Sequence, residues 1–447
     1  MDQHQKNPSR REFVKQSGLL AGGILAAPLL SKANLFSGAD NTIKIALVGC
    51  GGRGTGAAMQ ALLTKQNVKL VAMADAFRDR LDDCYKSLNA DDLSDWTDEK
   101  NRNVKNRIDV PEERKFIGFD AYQKAIAFAD VVILTTPPGF RPIHFEEAVK
   151  QNKHIFMEKP VATDPAGIQR VLKAAGDAKS KKLNVVVGLQ RHYQNSYREL
   201  FKRKDLIGDI TSAQAWWNND GVWVNPRKPG QTEMEYQMRN WYYFVWLCGD
   251  HINEQHIHNI DVINWFKGSY PVRAQGMGGR EVRTGKEFGE IFDHHYVEFH
   301  YADGSILNSQ CRHQKNTMSK VDELLVGTKG KIFAGAANIT DHKGKVIYQF
   351  DKKSENNPYQ TEHDELFEAI AKGNYKFADA ENGAKSTMTS ILGRMATYSG
   401  QVIEWEKAIN SGLDLHPKVY DWNAAPPVLP DAEGFYPVAK PGVTKYA

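Results

Sequence analysis

The stretch "TIKIALVGCGGRGTGAAMQALL", Thr42 to Leu63, decides the fold of this chain. It starts with an apolar run rich in Ile and Val, passes through a glycine cluster and ends in an Ala- and Leu-rich segment. This order is typical of a strand, a tight turn and a helix. A second apolar run, "VKLVAMAD" (Val68 to Asp75), follows at the distance expected of a βαβ unit. The stretch therefore predicts the first strand of a parallel α/β sheet.

The cluster "GCGGRG" is a G-x-G-x-x-G motif between a strand and a helix, the context of a dinucleotide site. Gly49 permits the turn, Gly51 lets a pyrophosphate approach the backbone, and Gly54 allows close packing of the helix. A carboxylate at Asp75 suits both ribose hydroxyls and repels a 2′-phosphate, which favours NAD. Arg78 keeps NADP open as an alternative, and a βα turn without a ligand is another. The predicted cofactor contacts here are Gly49, Gly51, Gly52, Arg53, Gly54 and Asp75.

Composition is typical of an ordinary enzyme with two globular domains. The 447 residues are 41% hydrophobic and 25% charged, and the net charge of +4 is small for this length. Because Lys and Arg are scattered, we expect a small-molecule substrate and no nucleic acid. The four cysteines show no CxxC or metal-like spacing, which predicts free thiols.

The first forty residues have the pattern of an export signal. A basic "SRREFVK" precedes the apolar "GLLAGGILAAPLL", and the small-residue site "SKA" follows. The apolar run is too short for a stable membrane span. The Arg10-Arg11 pair resembles a twin-arginine signal, which predicts a periplasmic protein exported already folded. A retained basic N-terminal helix is the alternative.

Along the rest of the chain, apolar strand-like runs alternate with helical segments and later give way to longer β-like runs. The fold class expected is α/β, with an N-terminal doubly wound parallel sheet and a C-terminal α/β domain that has a large open, mainly antiparallel sheet. The predicted divisions are an export signal and linker at 1–40, an NAD-binding domain at 41–190, a substrate domain at 191–415 and an extended tail at 416–447.

The run "TTPPGFRPIHFEEAVKQNKHIFMEKP", Thr135 to Pro160, together with the glycine motif, resembles the Gfo/Idh/MocA family of oxidoreductases. That resemblance implies a Rossmann domain followed by an open-sheet domain, with the site between them. Position by position, it implies cofactor contacts at Thr136, Pro137, His144, Glu158, Lys159 and Gln190. Lys159 is also the implied catalytic lysine. Pro138 departs from the more usual Asn, which puts one cofactor contact in doubt.

The stretch "CGDHINEQHIHNID" aligns with the family's second-domain helix pattern, in which a carboxylate and a histidine are catalytic. His258 takes the histidine position as general base, and Glu254 stands where an Asp is usual. On one helix, His251, Glu254, His258 and Asp261 share a face that excludes His256. We predict catalytic Lys159, His258 and Glu254, and no metal; a divalent ion on that face is the alternative. The predicted substrate contacts are Arg191, Tyr193, Trp241, His251 and His258.

These features together predict an NAD-dependent oxidoreductase that transfers hydride from a secondary hydroxyl of a sugar or glycoside to tightly held NAD. One alternative is cleavage of a glycoside by oxidation, elimination and reduction without net redox change. Another is a sugar-binding protein that retains NAD structurally. The resemblance to the Gfo/Idh/MocA family further implies a homo-oligomer formed through the open sheet face.

Overall fold

The computed structural model describes residues 41–91 and 104–446. The predicted export signal at 1–40 lies outside the described residues. Among the described residues, no helix is long and apolar enough to cross a membrane. The four cysteines are buried free thiols, as predicted.

The N-terminal sheet has six parallel strands in the order β3-β2-β1-β4-β5-β6. Its central strands are almost wholly buried because helices cover both faces, which is why they are continuous apolar runs in sequence. The strands are β1 Ile43–Val48, β2 Val68–Asp75, β3 Lys115–Ile117, β4 Val131–Leu134, β5 His154–Met157 and β6 Val185–Val187. The predicted doubly wound parallel sheet is confirmed.

The C-terminal sheet has nine strands in the order β14-β13-β12-β11-β7-β10-β9-β8-β15. Only the β7–β10 pair is parallel in the part that the structure describes, so the sheet is mainly antiparallel, as predicted. The strands are β7 Ile210–Asn219, β8 Arg273–Gly279, β9 His294–His300, β10 Ile306–His313, β11 Lys320–Gly327, β12 Gly330–Phe333, β13 Asn338–Asp341, β14 Val346–Gln349 and β15 Ile403–Glu404.

Helices cover the first sheet and one face of the second. In chain order the described helices are α1 Gly52–Leu63, α2 Arg78–Leu88, α3 Ala121–Ala127, α4 Arg141–Lys150, α5 Pro165–Ser180, α6 Asn195–Lys202, α7 Glu233–Arg239, α8 Val245–Cys248, α9 His251–Glu254, α10 Ile257–Lys267, α11 Pro358–Ala371, α12 Ala380–Ser399 and α13 Trp405–Ile409. The long, buried α12 packs on β8 and β9 of the second sheet and on α5 of the first domain. One helix therefore joins the cores of the two sheets.

The segment after α13 has no helix or strand among its described residues, yet it is packed against the protein. Trp422 lies against Phe77 and Phe119, with ring centroids 5.0 and 4.5 Å apart, and Tyr420 lies 5.4 Å from Phe140. These three phenylalanines line the cavity described below, so the predicted tail supports a wall of the site.

Candidate active site

The glycine loop joins β1 to α1, and each glycine meets different surroundings. Gly49 has a φ of +98°, which favours glycine, and a Cβ at Gly54 would lie 2.0 Å from the Gly49 carbonyl oxygen. A Cβ at Gly51 or Gly52 would meet no atom within 4 Å. Gly49 and Gly54 therefore shape the turn, whereas Gly51 and Gly52 leave open space at the N-terminus of α1, where N–H groups suit a pyrophosphate.

Gly54→Ala is expected to destabilise the first domain, because its Cβ overlaps a backbone atom that cannot move without opening the β1–α1 turn. We expect a loss of at least about 2 kcal/mol in the free energy of unfolding, measured by urea titration. Gly52→Ala in the same loop is the matched control and keeps wild-type stability. Equal stability of the two variants would contradict the role of Gly54.

A cavity of about 440 Å³ lies at the carboxyl edge of the parallel sheet and has walls from both domains. The first domain contributes the glycine loop, Asp75, Thr136, Pro137 and His144, as predicted. The sequence analysis did not assign the rest to the site, because no motif marks them; they include Arg80, Phe119, Tyr122, Asn225, Met238 and Arg239. Trp241, a predicted substrate contact, also lines this cavity.

Asp75 ends β2 with its carboxylate bound to the glycine loop. Oδ2 accepts a hydrogen bond from the Cys50 N–H at 2.6 Å and Oδ1 accepts from the Phe77 N–H at 2.8 Å. Arg78, the basis of the NADP alternative, pairs with Glu112 at 2.7 Å, while Arg80 lines the cavity. The carboxylate therefore lies at the end of β2, where an acidic side chain contacts a ribose in dinucleotide folds.

His144 is buried beside Thr136 at the end of β4. Its Nδ1 and the Thr136 hydroxyl share a hydrogen bond of 3.1 Å, and Arg141 donates to the Thr136 carbonyl at 2.6 Å. Burial and the Arg141 guanidinium lower the pKa of His144 to about 3, so the imidazole is neutral at physiological pH. The hydrogen-bonded His144 and Thr136 side chains give this side of the cavity a fixed, uncharged lining.

Lys159 and Glu254 meet across the two domains, as the family resemblance implied. Lys159 follows β5, and its Nζ donates to the Glu254 backbone oxygen at 2.5 Å and lies 3.2 Å from Oε1. Both side chains are mostly buried. The longer side chain at the usual Asp position therefore still reaches the lysine.

The predicted single helix through this region is wrong. Helix α9 ends at Glu254, and α10 begins at Ile257. The His258 N–H donates to the Gln255 oxygen, which leaves the Glu254 carbonyl for Lys159. The lysine thus takes the bond that a continuous helix would have used.

His258 lies at the start of α10, almost buried, with its ring stacked on Trp217 at 5.8 Å. Burial, then the charges of Lys159 and Arg191, hold the pKa of His258 well below its usual value. The Nδ1 atom has no hydrogen-bond partner among residues 41–91 and 104–446. A neutral imidazole close to the lysine is suited to accept a proton.

Glu158 is buried and paired within the protein, which does not support its assignment as a direct cofactor contact. Its Oε1 lies 2.6 Å from Nε of Arg53, a residue of the glycine loop that lines the cavity. Glu158 therefore acts on the loop through Arg53. Gln190 is also engaged by protein, because its amide donates to the Tyr359 hydroxyl at 3.2 Å.

Two predicted substrate contacts after β6 are held by buried carboxylates. Tyr193 is buried and donates its hydroxyl to Asp379 at 2.8 Å, so its assignment to the substrate is wrong. Arg191 pairs with the fully buried Glu323, and its charge reaches His258. Its predicted contact with substrate stays a prediction.

His251 is fully buried, so it is not a substrate contact. Its Nδ1 shares a 2.7 Å hydrogen bond with Asp250, which also pairs with His295. Asp250, His251 and His295 have the composition of a metal site. However, the Asp250 oxygens already accept from the His251 and Phe292 N–H groups and from the Tyr398 hydroxyl. Hydrogen bonds therefore account for this cluster.

The face expected to offer metal ligands is not formed. Asp261 accepts from Ser386 at 2.7 Å and from Asn382 at 3.2 Å, and it pairs with His192 at 2.7 Å. It is thus held within the protein, separately from the Lys159–Glu254 pair. The alternative of a divalent ion held by these four helix residues is not supported by their placement.

His256 bonds Ser309 through Nε2 at 2.7 Å, and burial, then His251, lower its pKa to about 3. Since the unfolded value is about 6.5, the unfolded chain binds this proton first, and stability is lost as pH falls below 6.5. His256→Gln removes that loss. We expect the variant to be less stable at pH 7.5, with the gap narrowing by about 2 kcal/mol at pH 5 in urea titrations.

Ser309→Ala is the control, because it removes the same hydrogen bond and leaves the imidazole in place. Its stability should keep the wild-type dependence on pH. A gap between His256→Gln and wild type that stays constant from pH 7.5 to 5 would contradict the neutral, buried state of His256.

Residues 43–188 match the profile described as the oxidoreductase family, NAD-binding Rossmann fold. This part of the chain, about a third of its length, is similar to the NAD-binding domain of the Gfo/Idh/MocA family. The cradle over Gly51 and Gly52 and the carboxylate of Asp75 fit that cofactor. The glycine motif and "EKP" thus correctly indicated the Gfo/Idh/MocA domain and its NAD.

Two curated relatives each match less than half of this chain. A 2,7-anhydro-N-acetylneuraminate hydratase from Escherichia coli is 25% identical over 209 residues, 45% of this chain and 50% of the relative. Inositol 2-dehydrogenase 3 from Saccharopolyspora erythraea is 28% identical over 179 residues, 40% of this chain and 46% of the relative. The chain spans about half the length of the curated relatives it matches.

The whole fold is similar to that of solved enzymes. Scyllo-inositol dehydrogenase from Lactobacillus casei, solved with NAD(H) and scyllo-inositol, aligns with a TM-score of 0.59 over 82% of this chain and 99% of that chain. At 19% identity, the likeness extends the shared fold to the open-sheet domain.

Proposed function

We propose that this protein is an NAD-dependent oxidoreductase that oxidises a secondary hydroxyl of a sugar or glycoside. The observation that carries the proposal is the contact of Lys159 with Glu254 just after β5, at the carboxyl edge of the NAD-binding sheet, with the His258 imidazole within range of the lysine charge. Ligands bind at this edge in open α/β folds. NAD, when bound, supplies the acceptor for the hydride. A side chain of the protein must then accept the hydroxyl proton.

Each of the three residues has a role that follows from its surroundings. His258, kept neutral by burial and nearby cations, accepts the hydroxyl proton. The Lys159 ammonium donates a hydrogen bond to the substrate oxygen, and Glu254 holds that ammonium through both its carbonyl and its carboxylate. The side chains of Lys159 and Glu254 are mostly buried. Exclusion of water strengthens these contacts.

The test is incubation of the purified full chain with NAD and a panel of sugars, glycosides and inositols. Absorbance of reduced cofactor and mass spectrometry of the products are followed together. Loss of two hydrogen atoms from a substrate, with matching reduced cofactor, supports the proposal. If no polyol on the panel is oxidised, while bound NAD is present, the proposal fails.

A second candidate is a reaction without net redox change, in which oxidation, elimination and re-reduction occur in sequence. It is favoured by the match to a relative named as a hydratase. The same incubation separates the two candidates, because products without net loss of hydrogen support the second.

The proposal includes export by the twin-arginine route and a homo-oligomer formed through the open sheet face. Both stay predictions from the sequence. Fractionation of cells that produce the full chain, with and without Arg10→Lys and Arg11→Lys, tests the first, and light scattering of the purified protein tests the second.

A further inference from the structure

Trp223 and Trp241 form a pair at the rim of the cavity that the proposed reaction does not use. Their ring centroids are 5.7 Å apart at 65°, and both residues line the cavity. Trp223 is 44% exposed, whereas Phe140 and His144 in the inner wall are 5% and 4% exposed. The Trp223 indole is therefore open to solvent as well as to the cavity.

The backbone that carries Trp223 is fixed from below. The Tyr243 hydroxyl donates to the carbonyls of Val222 and Trp223, at 3.2 and 2.9 Å, and Arg283 donates to that hydroxyl. Arg283 also lies under Gly221, where a Cβ would meet its guanidinium at 3.2 Å. An exposed aromatic side chain on a fixed support is preorganised for stacking, since little conformational freedom is lost on binding.

Tyr242 connects this rim to the catalytic residues. Its ring lies 5.5 Å from Trp241 and 6.2 Å from Trp223. Burial, then the adjacent Glu254 carboxylate, raises the pKa of Tyr242 well above its usual value. Glu254 in turn holds Lys159. Tyr242 thus contacts both indoles and lies close to Glu254, the partner of Lys159.

We propose that Trp223 and Trp241 form a subsite for the second ring of a glycoside, the sugar or aryl group joined to the ring that is oxidised. The inference rests on the proposed function and narrows its substrate class to glycosides. Pyranose and aryl rings both present an apolar face, and indoles bind such faces without reading the pattern of hydroxyls. A free monosaccharide or inositol has no second ring to place there.

The experiment compares Trp223→Ala and Trp241→Ala with the wild-type holoenzyme. KM and kcat are measured for cellobiose, maltose, lactose and p-nitrophenyl β-glucoside, and for glucose, galactose and myo-inositol. We expect KM for the two-ring substrates to rise about tenfold or more, by a factor at least about fivefold larger than any rise in KM for the single-ring substrates. Trp223→Phe should restore most of the loss, because it keeps an aromatic face.

Trp405→Ala is the matched control, because this half-buried tryptophan packs on Tyr270 beside the edge strand β15. It should leave all these constants unchanged. NAD content of each purified variant is measured in parallel. Equal losses on one-ring and two-ring substrates, or loss of NAD from the two rim variants, would overturn the subsite and assign the indoles to the reacting ring or to the cofactor.

Calorimetric titration with the same glycosides separates this inference from the proposed function. If glycosides bind without being oxidised and Trp223→Ala weakens that binding, the subsite stands and the proposed function fails. If wild type oxidises sugars but Trp223→Ala binds glycosides as tightly as wild type, the function stands and the subsite is overturned.

Discussion

Lys159→Met is expected to lower kcat for sugar oxidation by about 10²–10⁴-fold. Methionine keeps the length and apolar stem of lysine and removes its charge and donors. Lys159 follows β5 at the edge of the sheet, and its Nζ contacts the Glu254 carboxylate. Among the described residues, no other group combines this position with this contact. Steady-state kinetics on the best substrate of the panel measure the loss, and NAD content shows that the cofactor is retained.

Lys267→Met is the matched control for this change. Lys267 is also buried and ion-paired, with Asp303 at 2.9 Å, but it lies at the end of α10 away from the cavity. It should lose stability and keep kcat. A wild-type kcat for Lys159→Met would remove the lysine from the mechanism.

A Glu254→Asp variant tests the carboxylate separately from the lysine. The hydrogen bond from Lys159 to the backbone oxygen of residue 254 does not depend on the length of that side chain. A small effect, within about tenfold, means that Glu254 stands in for the usual Asp. The much larger loss expected of Lys159→Met would then belong to the lysine itself.

Local patterns were enough for the first domain. The run from Thr42 to Leu63 predicts β1, the turn and α1 because each is set by neighbours in sequence: apolar residues for the buried strand, and glycine where φ is +98° or where a Cβ would overlap backbone. The Gfo/Idh/MocA resemblance then correctly paired Lys159 with Glu254, which no spacing could have done.

The errors arose where a distant residue decides a local structure. At the break after Glu254, the free carbonyl accepts a hydrogen bond from Lys159, which is 95 residues earlier in the chain. Glu158 is turned to Arg53, 105 residues away, and Tyr193 to Asp379, 186 residues away. Helix periodicity takes side chains on one helix face to act together, so it placed His251 in the site. In the structure, His251 is bonded to Asp250, which also pairs with His295 of the second sheet.

His258→Gln is expected to lower kcat/KM about 10²–10⁴-fold and to change its dependence on pH. Burial, Lys159 and Arg191 hold the pKa of His258 well below its usual value, so in wild type the acidic limb should lie well below pH 6.5. Glutamine fills similar space without accepting a proton at these pH values. The acidic limb due to the imidazole should therefore disappear, and the remaining rate should rise with pH as hydroxide replaces the base.

His256→Gln provides the comparison, because this neighbouring histidine is equally buried but bonds Ser309 of the second sheet. It should lower stability, keep kcat/KM within a few-fold of wild type and retain the acidic limb. If His258→Gln kept that limb as well, the proton acceptor would be another group, and Glu254 would be the first to test because its carboxylate already faces Lys159. Loss of the limb in His258→Gln alone would identify the imidazole at the start of α10 as the base.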